Sequence, residues 1–209
     1  MSVVASSIIT RARLQLIDTG TTQRWTDTEL LYWLSDGQRA VVAAVPHASQ
    51  VTQSVLLVAG SRQTIPAGGY KLLNVYRNMG TTGTTPGQTC QKVSREFMDA
   101  NYYTWPSDTA SAIVRAWFMD ESDPLGFYVY PQNTGTSYIE LNYSVMPADL
   151  AATTSTLNVQ DIFQTALTDY VVARAHMKDS DYAAGAQIAA AWMQLFEQFV
   201  ATQANKQKG

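Results

Sequence analysis

The chain has 209 residues, 46% of them hydrophobic, enough to bury a core as one large domain or two small ones. A net charge of -3 and a pI near 5.3 argue against a protein whose main work is gripping nucleic-acid phosphates. Charged residues reach only 15%, below the usual quarter, which suits a surface covered by neighbours.

Residues 2–17 read as a helix with Val4, Ile8, Ala12 and Leu16 along one face, Arg11 and Arg13 off it, and a break at 18–21. A second helix has a clear start: Thr26 and Glu29 predict a capping box, and Trp25 can staple onto Leu30. Leu30, Leu31, Leu34, Gln38, Val41 and Val45 carry its apolar stripe until Pro46 stops it.

From 49 to 149 the period falls to two. Val51, Val55 and Leu57 alternate with polar residues, and 59–62 reads as a turn into 63–65. Further strands are predicted at 70–77, 113–119, 127–130 and 138–145. In the last, Ile139, Leu141, Tyr143 and Val145 face one way while Glu140, Asn142 and Ser144 face the other, as in an antiparallel sheet with one covered face. Residues 120–124 and 132–135 read as hairpin turns. The low-complexity stretch 80–87, glycine and threonine with one proline, has no apolar anchor and is expected to be mobile until a partner orders it.

Two amphipathic helices close the chain, joined by the polar break Lys178, Asp179, Ser180, Asp181. The first carries Ile162, Phe163, Ala166, Leu167, Tyr170 and Val171, with Asn158 and Asp161 as its cap between Leu157 and Ile162. The second carries Ala184, Ile188, Ala191, Trp192, Leu195, Phe196, Phe199 and Val200. Short connections make such helices antiparallel neighbours. The predicted fold is therefore α+β: helix pairs at 1–48 and 150–203 forming a four-helix bundle, an antiparallel β-rich insertion at 49–149, and a polar tail at 204–209.

Candidate chemistry is thin. Gly87 is followed by Gln88 and Thr89 rather than the lysine a phosphate-binding loop requires. Asp120, Glu121 and Asp123 sit in one turn, whereas paired catalytic carboxylates normally face each other from different elements, so a hydrolase is the weakest reading. Asp179 and Asp181 begin a calcium-loop spacing that fails at Ala183 and Ala184, and helix capping explains them better. His47, His176 and the lone Cys90 do not assemble into a zinc site or a Cys-His pair; His176 suits a helix C-terminus. No nucleophile elbow appears, and no cofactor or metal is implied. No apolar run approaches a membrane span and the first residues lack a signal-peptide pattern, so a soluble protein made in a cytoplasm is expected. Tyr102, Tyr103, Trp105, Trp117, Phe127, Tyr128 and Tyr130 cluster in the β region; Trp117 and Phe127 read as core. Tyr128 and Tyr130 point away from Phe127 and Val129, so one of the two sets is free to stack on sugars or to anchor a protein partner. An aromatic carbohydrate-binding module therefore stands as the alternative function.

The ordered pattern resembles the head-to-tail adaptor (connector) proteins of short-tailed bacteriophages. Ala12-Arg13-Leu14-Gln15-Leu16 followed by Arg24-Trp25-Thr26-Asp27-Thr28-Glu29-Leu30-Leu31 is similar to that family's opening helices. Residues 70–78 resemble its first long strand, 123–131 its aspartate-proline to tyrosine-proline hairpin, and 166–179 its third helix. The resemblance implies a virion protein without enzymatic activity, a homo-oligomeric ring, commonly of twelve subunits. Such a ring sits below the portal and above the tail nozzle or tail tube, with tail fibre as a further partner, and DNA only passes through it. It also implies that the C-terminal segment, Ala201, Thr202, Gln203, Ala204, Asn205, Lys206, Gln207 and Lys208, docks onto the portal; a frayed terminus is the alternative from the residues alone.

Overall fold

The computed structural model describes residues 3–120, 122–178 and 183–206. The chain divides into two compact units, residues 1–49 with 146–209 and residues 50–145. The elements in order are α1 (Ala5–Gln15), α2 (Asp27–Ala44), β1 (Gln50–Leu56), β2 (Ala59–Thr64), β3 (Gly69–Asn78), β4 (Gln91–Lys92), α3 (Arg95–Asn101), β5 (Ala116–Phe118), β6 (Gly126–Thr134), β7 (Tyr138–Val145), α4 (Gln164–Lys178) and α5 (Ala183–Lys206). Single 3-10 turns at Pro46–Ser49 and Asp161–Phe163 follow α2 and precede α4.

In the helical unit α2 starts as its sequence dictates. The Glu29 N–H donates to Thr26 Oγ1 at 3.3 Å and the Thr26 N–H donates to Glu29 Oε2 at 3.0 Å, so two of the orphan donors at the helix start find acceptors. Arg13, expected off the buried face, is itself buried. Its guanidinium donates to Asp18 at 2.6 Å, Asp27 at 2.7 Å and the Trp25 carbonyl at 2.9 Å, tying α1 to the start of α2. The predicted Asn158–Asp161 cap is replaced: Gln160 precedes the 3-10 turn without a side-chain cap, and the Asn158 N–H donates to Gln38 Oε1 at 2.8 Å.

The expected four-helix bundle is not formed. Among the described residues there are five α-helices and two sheets with seven strands, and α3 lies between β4 and β5 rather than with the terminal helices. The α+β class holds; the bundle does not. In the helical unit α4 is the hub against which α1, α2 and α5 all pack. Phe163, just before α4, meets Phe199 of α5 at 6.0 Å between ring centroids, and Tyr170 meets Phe196 at 5.0 Å. On α4's other side Thr165 and Thr168 line a groove with Arg11, Leu14 and Gln15 of α1. At about 100° per residue, those threonines lie roughly 140–160° around the helix from Tyr170. Along α5, Ala189, Phe196 and Val200 are buried while Ile188 and Leu195 stay exposed.

The β unit has a three-stranded sheet, order β1-β7-β3, and a four-stranded sheet, order β2-β6-β5-β4. It is not purely antiparallel, because β4 and β5 pair in parallel. Residues 59–62, expected as a turn, lie in β2 and pair with β6 across a bulge between Gly60 and Arg62. The 132–135 segment is not a hairpin turn but a corner, since β6 and β7 belong to different sheets. Gly135 supplies the positive φ (82°) of this bend, and the Leu57 N–H donates to the Ser137 carbonyl at 3.0 Å, so the 57–58 corner turns with it. Leu72, Val75 and Leu141 from one sheet and Trp117, Phe127 and Val129 from the other meet in one core. The other face of β7 is covered as well: Asn142 and Ser144 are buried, and Asn142 Nδ2 donates to Tyr76 Oη at 2.9 Å. A central strand flanked by β1 and β3 has covered positions on both sides; Asn142 Nδ2 is hydrogen-bonded there, while its Oδ1 is buried without a partner.

The 80–87 loop is fastened rather than free. The Asn78 N–H donates to the Gln88 carbonyl and the Gly87 N–H to the Asn78 carbonyl, both at 2.8 Å. Gly83 (φ 76°) lies against Tyr138, where an added Cβ would fall 2.9 Å from Cδ1. Tyr138 is the apolar anchor that the loop's own residues lack.

Candidate functional site

The aromatic residues of the β unit separate into two sets. Trp117 and Phe127 are core, as expected, and Val129 is buried with them. On the other face of β6, Tyr128 stacks on Phe118 (5.4 Å, 13°), takes the edge of Trp105 at 5.6 Å and lies under the Arg95 guanidinium. Tyr130 donates its hydroxyl to Asp108 at 3.1 Å and lies 5.5 Å from the Tyr102 ring; burial, then the Asp108 carboxylate, raises its pKa. Both tyrosines thus hold the α3 excursion onto the sheet. Trp105 Nε1 donates to Asp99 at 2.9 Å, and Ser94 caps α3 by accepting the Phe97 N–H at 3.1 Å. What this leaves on the surface is Phe97, Tyr102 and Tyr103, of which Tyr103 is 83% exposed.

The C-terminal candidates lie on the last turns of α5. Ala201, Thr202, Gln203, Ala204, Asn205 and Lys206 are helical, with Gln203 and Ala204 half-buried and the others exposed; Thr202 Oγ1 donates back to the Gln198 carbonyl at 2.8 Å. Gln207 and Lys208 lie outside the described residues, as do Glu121 and the Asp179–Asp181 spacing.

The carboxylates of the 120–124 turn serve the turn itself. Ser122 donates its hydroxyl (2.6 Å) and N–H (3.0 Å) to Asp120, which holds that carboxyl below its usual range, and Arg95 adds a longer contact. Asp123 accepts the Gly126 N–H at 3.0 Å and an Arg62 N–H at 3.2 Å. Cys90 is buried, its thiol pushed up to about 11 by desolvation, far from the thiolate a nucleophile needs. His47 lies in the 3-10 turn after α2, and His176 in the last turn of α4. Among the described residues no group of His, Cys, Asp or Glu is placed to hold a metal ion, and no helix is long and apolar enough to cross a membrane. Among the described residues the exposed large apolar side chains include Leu14, Ile17, Phe97, Tyr102 and Tyr103.

A family model described as SU10 adaptor protein matches residues 5–209, nearly the whole chain. The chain belongs to that family. It is a phage head-to-tail adaptor, a structural component of the virion that associates with other virion proteins. No curated protein sequence matches it. In this adaptor sequence reasoning singled out Tyr102 and Tyr103 but missed the exposed Phe97 and Ile17, and Leu14, which lines the α1–α4 groove. The signal was present: Leu14 lies off the apolar stripe of α1, and Ile17 directly precedes the break at Asp18.

Proposed function

We propose that this adaptor forms a ring, of twelve copies, that joins the portal to the tail nozzle around the DNA channel. The match over residues 5–209 is the observation that carries the reading. Its function is mechanical rather than catalytic. The terminal helices (1–48 and 150–203) and the β insertion (49–149) act as separate working parts. Ala201–Lys208 meet the portal, and Tyr128 and Tyr130 serve a tail-side partner by holding Phe97, Tyr102 and Tyr103 in place. The net charge of -3 suits a channel through which DNA must slide without being gripped. Apolar surface left open in the single chain is buried on assembly, with the portal as template. Native mass spectrometry of the protein with the portal ring tests this reading. Addition in a fixed multiple is expected, and a folded protein that adds at no ratio overturns it. Deleting 201–209 should abolish the addition while leaving the fold intact.

A further inference from the structure

β1 is an edge strand with an unguarded outer side. It pairs with β7 alone, in unbroken register from Gln50 opposite Ser144 to Leu56 opposite Tyr138. The next pair in that register fixes which way the backbone points. The Leu57 N–H donates to the Ser137 carbonyl, so Leu57, Val55, Gln53 and Val51 turn their N–H and C=O groups toward β7. Thr52, Ser54 and Leu56 therefore turn theirs outward. Gln50, Thr52, Gln53 and Leu56 are exposed.

Single chains guard such an edge with a charge, a proline, a bulge or a covering segment. Among the described residues the other edges are guarded. β2 is bulged and carries Arg62, β4 is two residues long, and β3 is bulged and makes backbone bonds to Pro124, Gln88 and Cys90. β1 has none of these devices: from Ala48 to Ser61 no residue is charged and none is proline. A row of outward N–H and C=O groups is complemented by another extended backbone, so the exposed groups themselves specify a strand as occupant.

The side chains specify whose strand. Turned against itself about Gln53, β1 sets Val51 against Val55, Thr52 against Ser54 and Gln53 against Gln53. In that register outward-pointing residues meet outward-pointing residues, so Thr52 and Ser54 exchange backbone bonds. The faces match as well. Val51 and Val55 lie opposite Tyr143 and Ile139 and so share the core side of the sheet. Val51 is 39% exposed and Val55 half-buried, and each gains a valine neighbour from the second copy. Thr52 and Ser54 form a hydroxyl pair on the other side, and no charge meets a charge.

We infer that β1 pairs antiparallel with β1 of a second copy about Gln53, which makes one continuous sheet from two three-stranded ones. One strand pair buries little surface, so the contact is weak and reversible. It joins like to like and is therefore not the contact that repeats around a ring. It belongs to the unassembled protein and is independent of the ring reading.

The test is sedimentation velocity of the full-length protein over a dilution series, without portal. The parent should pass from dimer to monomer on dilution. A monomer at every concentration overturns the inference and leaves the edge to a strand of another protein. Gln53 is exposed, so Gln53→Lys and Gln53→Glu should each melt like the parent. Each sets like charges against each other across the two-fold axis and should weaken dimerisation about tenfold or more at low salt. Mixing the two variants should restore the dimer as a one-to-one pair. A dimer that survives either charge, or a mixture that stays monomeric, overturns the pairing about Gln53. Thr52→Pro is a second check, because the Thr52 N–H points away from β7. Proline there spares the β1–β7 ladder but removes a donor from the edge and blocks the incoming strand. Loss of the dimer with little change in melting temperature is expected, and an undiminished dimer overturns the inference.

Discussion

Asp169 lies on the buried face of α4 beside Ala166, Val172 and Ala173, and desolvation pushes its pKa from 3.8 up to about 6. Burial disfavours the charged form, so the native state holds this proton to higher pH than the unfolded chain does. Stability is therefore lost as pH rises from about 4 to about 6, and the full cost applies above that. A shift from 3.8 to about 6 corresponds to about 3 kcal/mol at neutral pH, at roughly 1.4 kcal/mol per unit. Asp169→Asn removes the titration while keeping the shape. The amide carries a desolvation cost of its own, but that cost does not change with pH. The quantity to measure is the difference in unfolding free energy between variant and parent, by urea denaturation at several values between about pH 4 and about pH 7.5. The variant should gain on the parent by about 2–3 kcal/mol across that range. A difference that stays constant, or that shrinks as pH rises, would refute the placement of a desolvated carboxyl in the helical core.

Arg13→Met removes the guanidinium paired with the buried Asp18 carboxylate, which keeps the Arg24 N–H at 2.7 Å, and should cost about 3 kcal/mol by urea denaturation, whereas a loss below about 1 kcal/mol would show the pair to be solvated. Lys178, then Thr26, hydrogen-bond the Glu29 carboxylate and lower its pKa from 4.5 to about 2. The stability this contributes is complete above pH 4.5 and is lost as pH falls toward 2, so NMR titration of Glu29 should find a depressed midpoint that rises in Lys178→Met. An ordinary glutamate midpoint in the parent would rule out the contact. Asn78 binds the Val114 N–H (2.8 Å), the Val114 carbonyl (2.7 Å) and the Gln88 carbonyl (3.0 Å) through its side chain. Asn78→Ala should cost about 2–4 kcal/mol and speed amide exchange at Val114, and unchanged exchange there would show that the side chain is dispensable.

Local features were legible because their causes are local. Thr26 and Glu29 lie within one helical turn, so the capping box follows from two residue types at one spacing. Ile139, Leu141 and Tyr143 alternate and all face the core, and the ordered motifs pointed to the adaptor family. The candidate surfaces were half legible: the aromatic cluster stood out in the sequence, but which rings would be covered depended on Trp105 and α3 folding back over Tyr128. Arg13 passed for a surface residue because its acceptors, Asp18, Asp27 and the Trp25 carbonyl, come together only when α1 meets the start of α2. A glycine bend at Gly135 reads alike whether the next strand pairs back or crosses to another sheet, and only the partners of β6 and β7 decide between them. Periodicity likewise identified an apolar face on α5 but not what covers it. Apolar spacing is a property of one helix, whereas burial depends on where its neighbours stand, and only the packed structure shows that Ala189, Phe196 and Val200 are covered while Ile188 and Leu195 are not.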